Sequence, residues 1–342
     1  MKLIKTEDSV GCVLCHDMTQ IIKGVTKDAV FRKGHVVKEE DIPVLLSIGK
    51  DHIYVWEADE SMLHENDGAR ILCDLCKNEG MEESEVKEGK IELRSSWDGV
   101  LKIDSARLRK INSFGQMMVA TRHGNTVVKK GDKLAGMRII PLVIEKEKME
   151  QVKACCVGEP VLKLLPLKKK KAAIITTGNE VFYGRIQDQF TPVLEEKLAE
   201  YDCEVIHKEI LPDDHTKITE AVLRAIEEYH AELVLCTGGM SVDPDDKTPL
   251  AIKNTGARIV SYGAPVLPGA MFLLSYYKEK VPVVGLPGCV MYAKRTIFDL
   301  VLPRLLADDE VTAEELSDLG EGGLCLNCDI CTFPNCGFGK GW

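Results

Sequence analysis

The fold of this protein is decided by three segments with a common pattern: KAAIITTGNE at 171–180, LVLCTGG at 233–239 and VPVVGLPG at 281–288. Each contains a short apolar run that ends at glycine, or at proline and glycine. Apolar runs bounded by turn residues are typical of buried strands. The pattern predicts strands at Ala172–Thr176, Glu232–Thr237 and Val281–Leu286, and a further strand is predicted at Cys203–Ile210.

Helical patterns alternate with these strands. Val193–Ala199 is one, and Met291–Leu306 is another. Between them, Asp213 and Asp214 are suitable N-cap residues for a segment whose apolar residues recur at helical spacing up to Tyr229. Repeated strand–helix units predict an α/β domain at 168–307, with a mostly parallel sheet covered by helices on both faces. Ligands of such sheets bind at the carboxyl ends of the strands.

Three other zones flank this domain. Residues 1–79 are predicted to form an α+β region, with a helix at Asp41–Ile48 and a strand at His52–Trp56. Residues 87–150 are predicted to form a small β-rich domain, because short β-like segments with frequent glycines are typical of a sandwich or barrel. Residues 308–342 are an acidic linker and a cysteine-rich tail, which the linker is expected to separate from the α/β domain.

Composition and charge narrow the class of protein. The chain has 342 residues, of which 45% are hydrophobic and 29% charged, as in soluble multidomain proteins. A formal net charge of −10 argues against nonspecific nucleic-acid binding. We see neither an apolar secretory segment near the N-terminus nor a stretch able to span a bilayer, so we expect a cytoplasmic protein without a membrane partner.

The three strand ends predict an anion site. Their glycines, among them Gly178, Gly238, Gly239 and Gly288, allow a ligand to approach the backbone, and Thr177 adds a hydroxyl donor. Nearby carboxylates are suitable for a hydrated Mg²⁺ that screens phosphates: Glu180, Asp213, Asp243, Asp245 and Asp246. The alternative is that these loops are ordinary turns, in which the same residue types are common.

Ordered motifs within Lys171–Ala307 resemble a known family. TTGNEV, GRIQD, ILPDDHTKI, LVLCTGGMSVDPDD and PVVGLPG are similar to the molybdopterin-binding domain of molybdenum-cofactor biosynthesis proteins, especially the molybdopterin molybdenumtransferases. The resemblance implies a three-layer α/β domain that binds molybdopterin or its adenylylated form, a homodimer, and a molybdoenzyme or biosynthetic partner. It implies ligand-binding or catalytic roles, with Asp213 and Asp246 as the catalytic candidates, for Glu180, Asp188, Asp213, Asp246, Gly238, Gly239, Ser241, Pro268, Pro287 and Gly288.

Three departures from the family pattern bear on catalysis. Phe190 stands where the family usually has Asn or Ser, Ala270 where a Lys is usual, and Cys289–Val290 where Asn-Pro commonly follows. They favour a non-catalytic carrier or sensor, whereas Glu180, Asp213 and Asp246 favour a transferase that inserts molybdenum. A redox protein that works through its tail is a more distant alternative.

The tail contains four closely spaced cysteines: Cys325, Cys328, Cys331 and Cys336. Fe–S clusters use similar C-x₂-C-x₂-C runs, and structural Zn²⁺ also accepts four thiolates. We therefore predict a metal site of either kind in the tail. The pairs Cys12–Cys15 and Cys73–Cys76 could together form another metal site, but we interpret both as buried hydrophobic residues, because nothing else clusters with them.

Overall fold

The structure is a computed structural model that describes residues 2–22, 24–55, 60–241, 243, 244 and 246–341. Its contacts divide the chain into two compact units. The first comprises Met1–Ser96, Ile103–Arg122 and Gly131–Lys163, and the second comprises Trp97–Lys102, His123–Lys130 and Leu164–Trp342. The predicted zones 168–307 and 308–342 thus share one unit, while 87–150 contributes to both. The division of the chain into four domains or segments stays a prediction.

The strands, in chain order, are β1 (Lys2–Lys5), β2 (Met18–Ile22), β3 (Thr26–Phe31), β4 (His52–Val55), β5 (Met62–His64), β6 (Met81–Glu83), β7 (Lys90–Ser95), β8 (Gly99–Ile103), β9 (Met117–Thr121), β10 (Thr126–Val128), β11 (Lys133–Ile139), β12 (Val143–Glu145), β13 (Leu162–Pro166), β14 (Lys171–Thr177), β15 (Glu204–Leu211), β16 (Leu233–Thr237), β17 (Arg258–Tyr262), β18 (Leu273–Tyr277) and β19 (Val281–Leu286). The helices are α1 (Ile42–Ser47), α2 (Glu65–Cys76), α3 (Ser105–Ser113), α4 (Lys146–Cys155), α5 (Asn179–Phe182), α6 (Phe190–Ala199), α7 (His215–Glu227), α8 (Thr248–Asn254), α9 (Ile297–Leu306) and α10 (Ala313–Asp318). Short 3₁₀ turns lie at Thr6–Asp8, Glu39–Asp41 and Gly288–Met291.

The first unit is built from small antiparallel sheets. Strands β6, β7, β11 and β9 form a four-stranded sheet in that order, and β1–β4, β2–β3 and β5–β12 form pairs. The predicted N-terminal helix and strand are confirmed as α1 and β4, and Trp56 lies outside the described residues. Cys15, Cys73 and Cys76 are fully buried, as predicted, whereas Cys12 is only half-buried, which corrects the prediction for that residue.

The predicted sandwich or barrel is corrected by the structure. Strands β8, β10 and β13 form a separate three-stranded sheet, most of whose residues belong to the second unit. Helix α3 also interrupts the β-rich region, and Asp104 caps it by accepting a hydrogen bond from the Arg107 N–H. The glycine spacing indicated turns, but it carried no information about which strands would pair.

The second unit contains a six-stranded sheet with the order β15-β14-β16-β19-β18-β17. Strands β15, β14, β16 and β19 are parallel, and β18 and β17 are antiparallel. One core cluster includes α6 and α9 residues such as Leu194 and Phe298, and a second includes α7 and α8 residues such as Val222 and Ile252. The predicted three-layer α/β fold with a mostly parallel sheet is confirmed. Among the described residues, no helix is both long and apolar enough to cross a bilayer.

The start of the last domain helix differs from the sequence-based boundary. The apolar pattern predicts a helix from Met291, whereas α9 begins at Ile297. The Thr296 hydroxyl accepts a hydrogen bond from the Phe298 N–H, and the Asp299 carboxylate accepts one from the Thr296 N–H at 2.7 Å. This capping box fixes the helix start, because the backbone N–H groups of Thr296 and Phe298 both find hydrogen-bond acceptors there.

The tail is not separated from the α/β domain, which corrects the expectation from the linker. Val311, Leu316 and Phe338 are buried in the same core cluster as β14 and α9. Arg304 of α9, whose side chain is 6% exposed, pairs with Asp309 and Glu315 of the acidic segment. Two of the acidic residues of this segment are therefore used to pair a buried arginine.

Candidate functional site

Strand register brings the predicted loops to one edge of the six-stranded sheet. Thr177 is paired with Leu211, Thr176 with Thr237, and Thr237 with Leu286. These residues end or nearly end β14, β15, β16 and β19, so the four following loops leave the same edge. Strand β14 lies between β15 and β16, so the strand order reverses between β14 and β16. Such a reversal is the topological switch point, where α/β sheets bind ligands.

Two of these loops are joined directly at the switch point. The hydroxyls of Thr177 and Thr248 are 3.1 Å apart, and Thr248 Oγ1 donates to the carbonyl of Gly238 at 2.8 Å. Gly238 has a φ of +84°, and a Cβ there would lie 2.0 Å from the Thr177 carbonyl oxygen. Only glycine fits this position, because the two backbones are in close contact. The predicted Thr177, Gly238 and Gly239 are thus brought together.

Two buried oxygens beside this junction have no hydrogen-bond partner within the described structure: Thr237 Oγ1 and Asp246 Oδ2. A buried polar atom without a partner costs about 1–3 kcal/mol. Thr237 ends β16, and Asp246 precedes α8 after the double-glycine loop. A hydroxyl can donate to a phosphate or accept from an amine, and a carboxylate can accept from a pterin N–H or ligate a cation. Both oxygens therefore have hydrogen-bonding capacity that the described residues do not use.

The loop after β14 contacts the loop after β15. Asp213 Oδ2 accepts a hydrogen bond from the Asn179 N–H at 2.9 Å, and the Gly178 N–H donates to the Leu211 carbonyl at 3.1 Å. The structure thus places Asp213 against the TGNE turn, whereas the predicted N-cap role belongs to Asp214, which accepts from the Thr216 and Lys217 N–H groups. Glu180 is exposed in the same turn.

Asp188 holds the start of α6. Its Oδ1 accepts hydrogen bonds from the Phe190 N–H at 2.8 Å and the Thr191 N–H at 3.2 Å. Its Oδ2 accepts from the hydroxyls of Thr191 and Thr176. These contacts give Asp188 a capping role at the carboxyl end of β14, and the binding role implied by the resemblance stays a prediction.

The remaining predicted residues follow β16 and β19 or precede β18. Pro287 is buried and Gly288 is exposed at the end of β19, while Ser241 is exposed. Leu273 of β18 is paired with Gly285, so the preceding Pro268 segment leaves the sheet at this same edge. The Pro268 carbonyl accepts from the Ile297 N–H at 3.2 Å, which anchors that segment to the start of α9.

Two residues at this edge were missed as functional candidates. Thr248 bonds both glycine-rich loops, and Tyr262 donates from its hydroxyl to the carbonyl of Met240 at 2.9 Å. Burial, and then the charge of Asp246, raise the pKa of Tyr262, which keeps its hydroxyl protonated. Thr248 closes the TGGMSVDPDDKT motif and could have been noted, but Tyr262 lies in β17, where nothing local indicated a role.

The predicted metal ligands are only partly described. Asp245 lies outside the described residues, and within them no group of three or more His, Cys, Asp or Glu side chains is arranged to hold a metal ion. The partnerless Asp246 Oδ2 is nevertheless a suitable Mg²⁺ ligand. In the tail, Cys325 and Cys336 are half-buried, Cys328 and Cys331 are exposed, and all four are free thiols. Both predicted metal sites stay predictions.

The fold and its loops thus define an α/β domain whose polar loop residues meet at the topological switch point. Residues 173–307 match a family model described as a probable molybdopterin binding domain. Residues 3–57 match a second family model, described only as a domain of unknown function. The family match confirms the predicted resemblance at the level of this domain.

Curated relatives share parts of the chain. The molybdenum cofactor synthesis protein cinnamon of Drosophila melanogaster is 25% identical over 221 residues, covering 61% of this chain and 36% of the relative. The molybdopterin molybdenumtransferase of Haemophilus influenzae is 28% identical over 143 residues, covering 40% of this chain and 34% of the relative. This chain thus spans about a third of the length of these relatives.

Two solved structures are similar to part of this chain. The molybdopterin biosynthesis enzyme MoaB of Thermus thermophilus is 22% identical with a TM-score of 0.34, covering 40% of this chain and 91% of its own. The tungsten cofactor synthesizing protein MoaB of Pyrococcus furiosus is also 22% identical with a TM-score of 0.34, covering 42% of this chain and 99% of its own.

Proposed function

We propose that residues 173–307 bind molybdopterin or its adenylylated form at the junction of the β14 and β16 loops. The partnerless buried oxygens of Thr237 and Asp246 carry this proposal, because they lie at the switch point of a domain from a probable molybdopterin-binding family. A ligand with a phosphate and pterin N–H groups offers a partner to each. Gly238 and Gly239 allow this loop to pack closely against Thr177 and Thr248.

Thr237→Val tests this proposal, because the change removes the hydroxyl and keeps the shape. We expect the free energy of unfolding to be unchanged or higher, since a buried polar atom without a partner is removed. We expect pterin affinity to fall about tenfold, the equivalent of one hydrogen bond of ~1.4 kcal/mol. Titration calorimetry and denaturant unfolding measure the two effects.

Thr248→Val is the matched control. Its hydroxyl has partners in Thr177 and Gly238, so this variant should lose about 1–3 kcal/mol of stability by leaving them unpaired. A folded wild-type protein that binds no pterin would contradict the proposal. Equal stability losses in the two variants would show that Thr237 has an internal partner after all.

Molybdenum insertion is the second candidate function, and the open Asp246 carboxylate favours it. Asp246 would hold Mg²⁺ against the nucleotide phosphates, and bound Mg²⁺ would neutralise developing charge there. The rival carrier or sensor role is supported by Ala270 and by Cys289, whose thiol is kept protonated because burial raises its pKa. The proposal extends to a homodimer that serves a molybdoenzyme or biosynthetic partner in the cytoplasm.

Asp246→Asn separates the two roles. For a transferase we expect molybdate-dependent release of AMP from adenylylated molybdopterin to fall about 10–100-fold, with a much smaller change in pterin affinity. The loss should be accompanied by a weaker dependence of the rate on Mg²⁺. Wild-type protein that binds adenylylated molybdopterin tightly but releases no AMP with molybdate and Mg²⁺ present decides for the carrier or sensor.

A further inference from the structure

The tail encloses a cavity of about 230 Å³ within the second unit. All four tail cysteines line this cavity, which we name the thiol cavity: Cys325, Cys328, Cys331 and Cys336. Much of the remaining wall is apolar, with the rings of Phe333 and Phe338 and the side chain of Leu324. Four thiols that are separated along the chain therefore face one apolar space.

The backbone around the thiol cavity is anchored to the α/β domain. The Leu267 N–H donates to the Gly323 carbonyl and the Cys325 N–H donates to the Leu267 carbonyl, both at 2.8 Å. Cys325 and Cys336 pack against the domain core, whereas Cys328 and Cys331 are exposed. Cys325 and Cys336 are thus held against the domain, and Cys328 and Cys331 lie on the loop between them.

The size of the thiol cavity bears on which metal group it can hold. A single tetrahedral Zn²⁺ has Zn–S bonds of about 2.3 Å and draws its four thiolates close together. Within the described residues no three Cys, His, Asp or Glu side chains are arranged to hold a single metal ion. An iron–sulfur core is larger, because its bridging sulfides and irons lie between the cysteine ligands. A cavity of about 230 Å³ that all four cysteines line has room for the larger group.

Charge at the thiol cavity is also compatible with a cluster. A cubane cluster with four thiolates carries a net charge of about −2 in its oxidised form. Lys294 and Arg295 both line the cavity. The Lys294 ammonium donates to the carbonyl of Asp329, in the loop between Cys328 and Cys331, at 3.1 Å. Cationic side chains next to the ligand loop lower the cost of burying the cluster's negative charge.

We propose that Cys325, Cys328, Cys331 and Cys336 ligate a 4Fe–4S cluster in the thiol cavity. The C-x₂-C-x₂-C run matches the spacing that such clusters use, and the later Cys336 supplies the fourth ligand across the cavity. Ligation replaces four S–H bonds by four Fe–S bonds and releases four protons, and two ferrous ions, two ferric ions and four sulfides together make up the oxidised core. The site is independent of pterin binding.

The test is anaerobic reconstitution of the full-length protein with equal amounts of ferrous and ferric iron and with sulfide, followed by desalting. We expect about four irons and four sulfides per chain, and a visible charge-transfer absorbance that bleaches on reduction. Reconstitution with zinc alone is the parallel sample. Stoichiometric zinc uptake without uptake of iron and sulfide would overturn the proposal, and so would a stable content of two irons per chain.

Cys328→Ala and Cys331→Ala assign the ligands. Both side chains are exposed, so the variants should keep the wild-type unfolding transition and lose most of the iron. Cys155→Ala, a half-buried cysteine of the first unit that does not line the cavity, should retain it. Iron content unchanged in both tail variants contradicts the assignment. Thr237→Val should bind iron as wild type does, so failure of the pterin proposal and failure of this one are distinguishable.

Discussion

Asp299→Ala is expected to lower the free energy of unfolding by about 3–5 kcal/mol. The Asp299 side chain is 3% exposed and accepts a hydrogen bond from the Lys197 ammonium at 2.6 Å. Lys197 is itself only 8% exposed, and its other recorded contact is the Lys294 carbonyl at 3.3 Å. The substitution would leave a buried ammonium without its carboxylate, and it would also remove the capping box of α9.

The control for this prediction is Glu200→Ala, which removes a different carboxylate from the same network. Glu200 pairs with Arg295 at 3.0 Å, but its side chain is 43% exposed. Exposed ion pairs contribute about 0–1 kcal/mol, because water and salt screen them. Urea denaturation of the wild type and both variants gives the comparison. Similar losses in the two variants would show that burial of Asp299 does not determine its contribution.

Phe338→Ala is expected to destabilise the α/β domain by about 3–5 kcal/mol, although Phe338 lies in the cysteine-rich tail. Its side chain is 5% exposed and belongs to the core cluster that contains β14 and α9 residues. Truncation leaves a cavity in that cluster and removes the ring contact with Phe333, at a centroid distance of 6.3 Å. A single unfolding transition shifted to lower urea is the expected observation.

Ile330→Ala is the matched control, since Ile330 is an apolar tail residue that is 81% exposed. Substitutions at such surface positions change stability by about 0.5 kcal/mol or less. A Phe338→Ala variant as stable as the Ile330→Ala variant would support the separate tail that the acidic linker suggests.

The sequence by itself determined the α/β domain and the loops that carry its chemistry. Short apolar runs ending at Gly178, Gly238 and Pro287 identify parallel strands, because buried strands and tight βα turns leave local signals. The same local signals placed helix α7 and its cap within a residue or two. They also identified the glycine-rich edge, because carboxyl ends of parallel strands must share one side of a sheet.

Tertiary structure alone decided which side chains at that edge have hydrogen-bond partners within the protein and which do not. Asp213 and Asp188 look equivalent to Asp246 in sequence, yet they cap the Asn179 turn and helix α6, while Asp246 retains a partnerless oxygen. Tertiary structure also placed the tail in the domain core through Phe338 and Arg304. Contacts between distant segments depend on packing and ion-pair geometry in three dimensions, and no local pattern of residues encodes them.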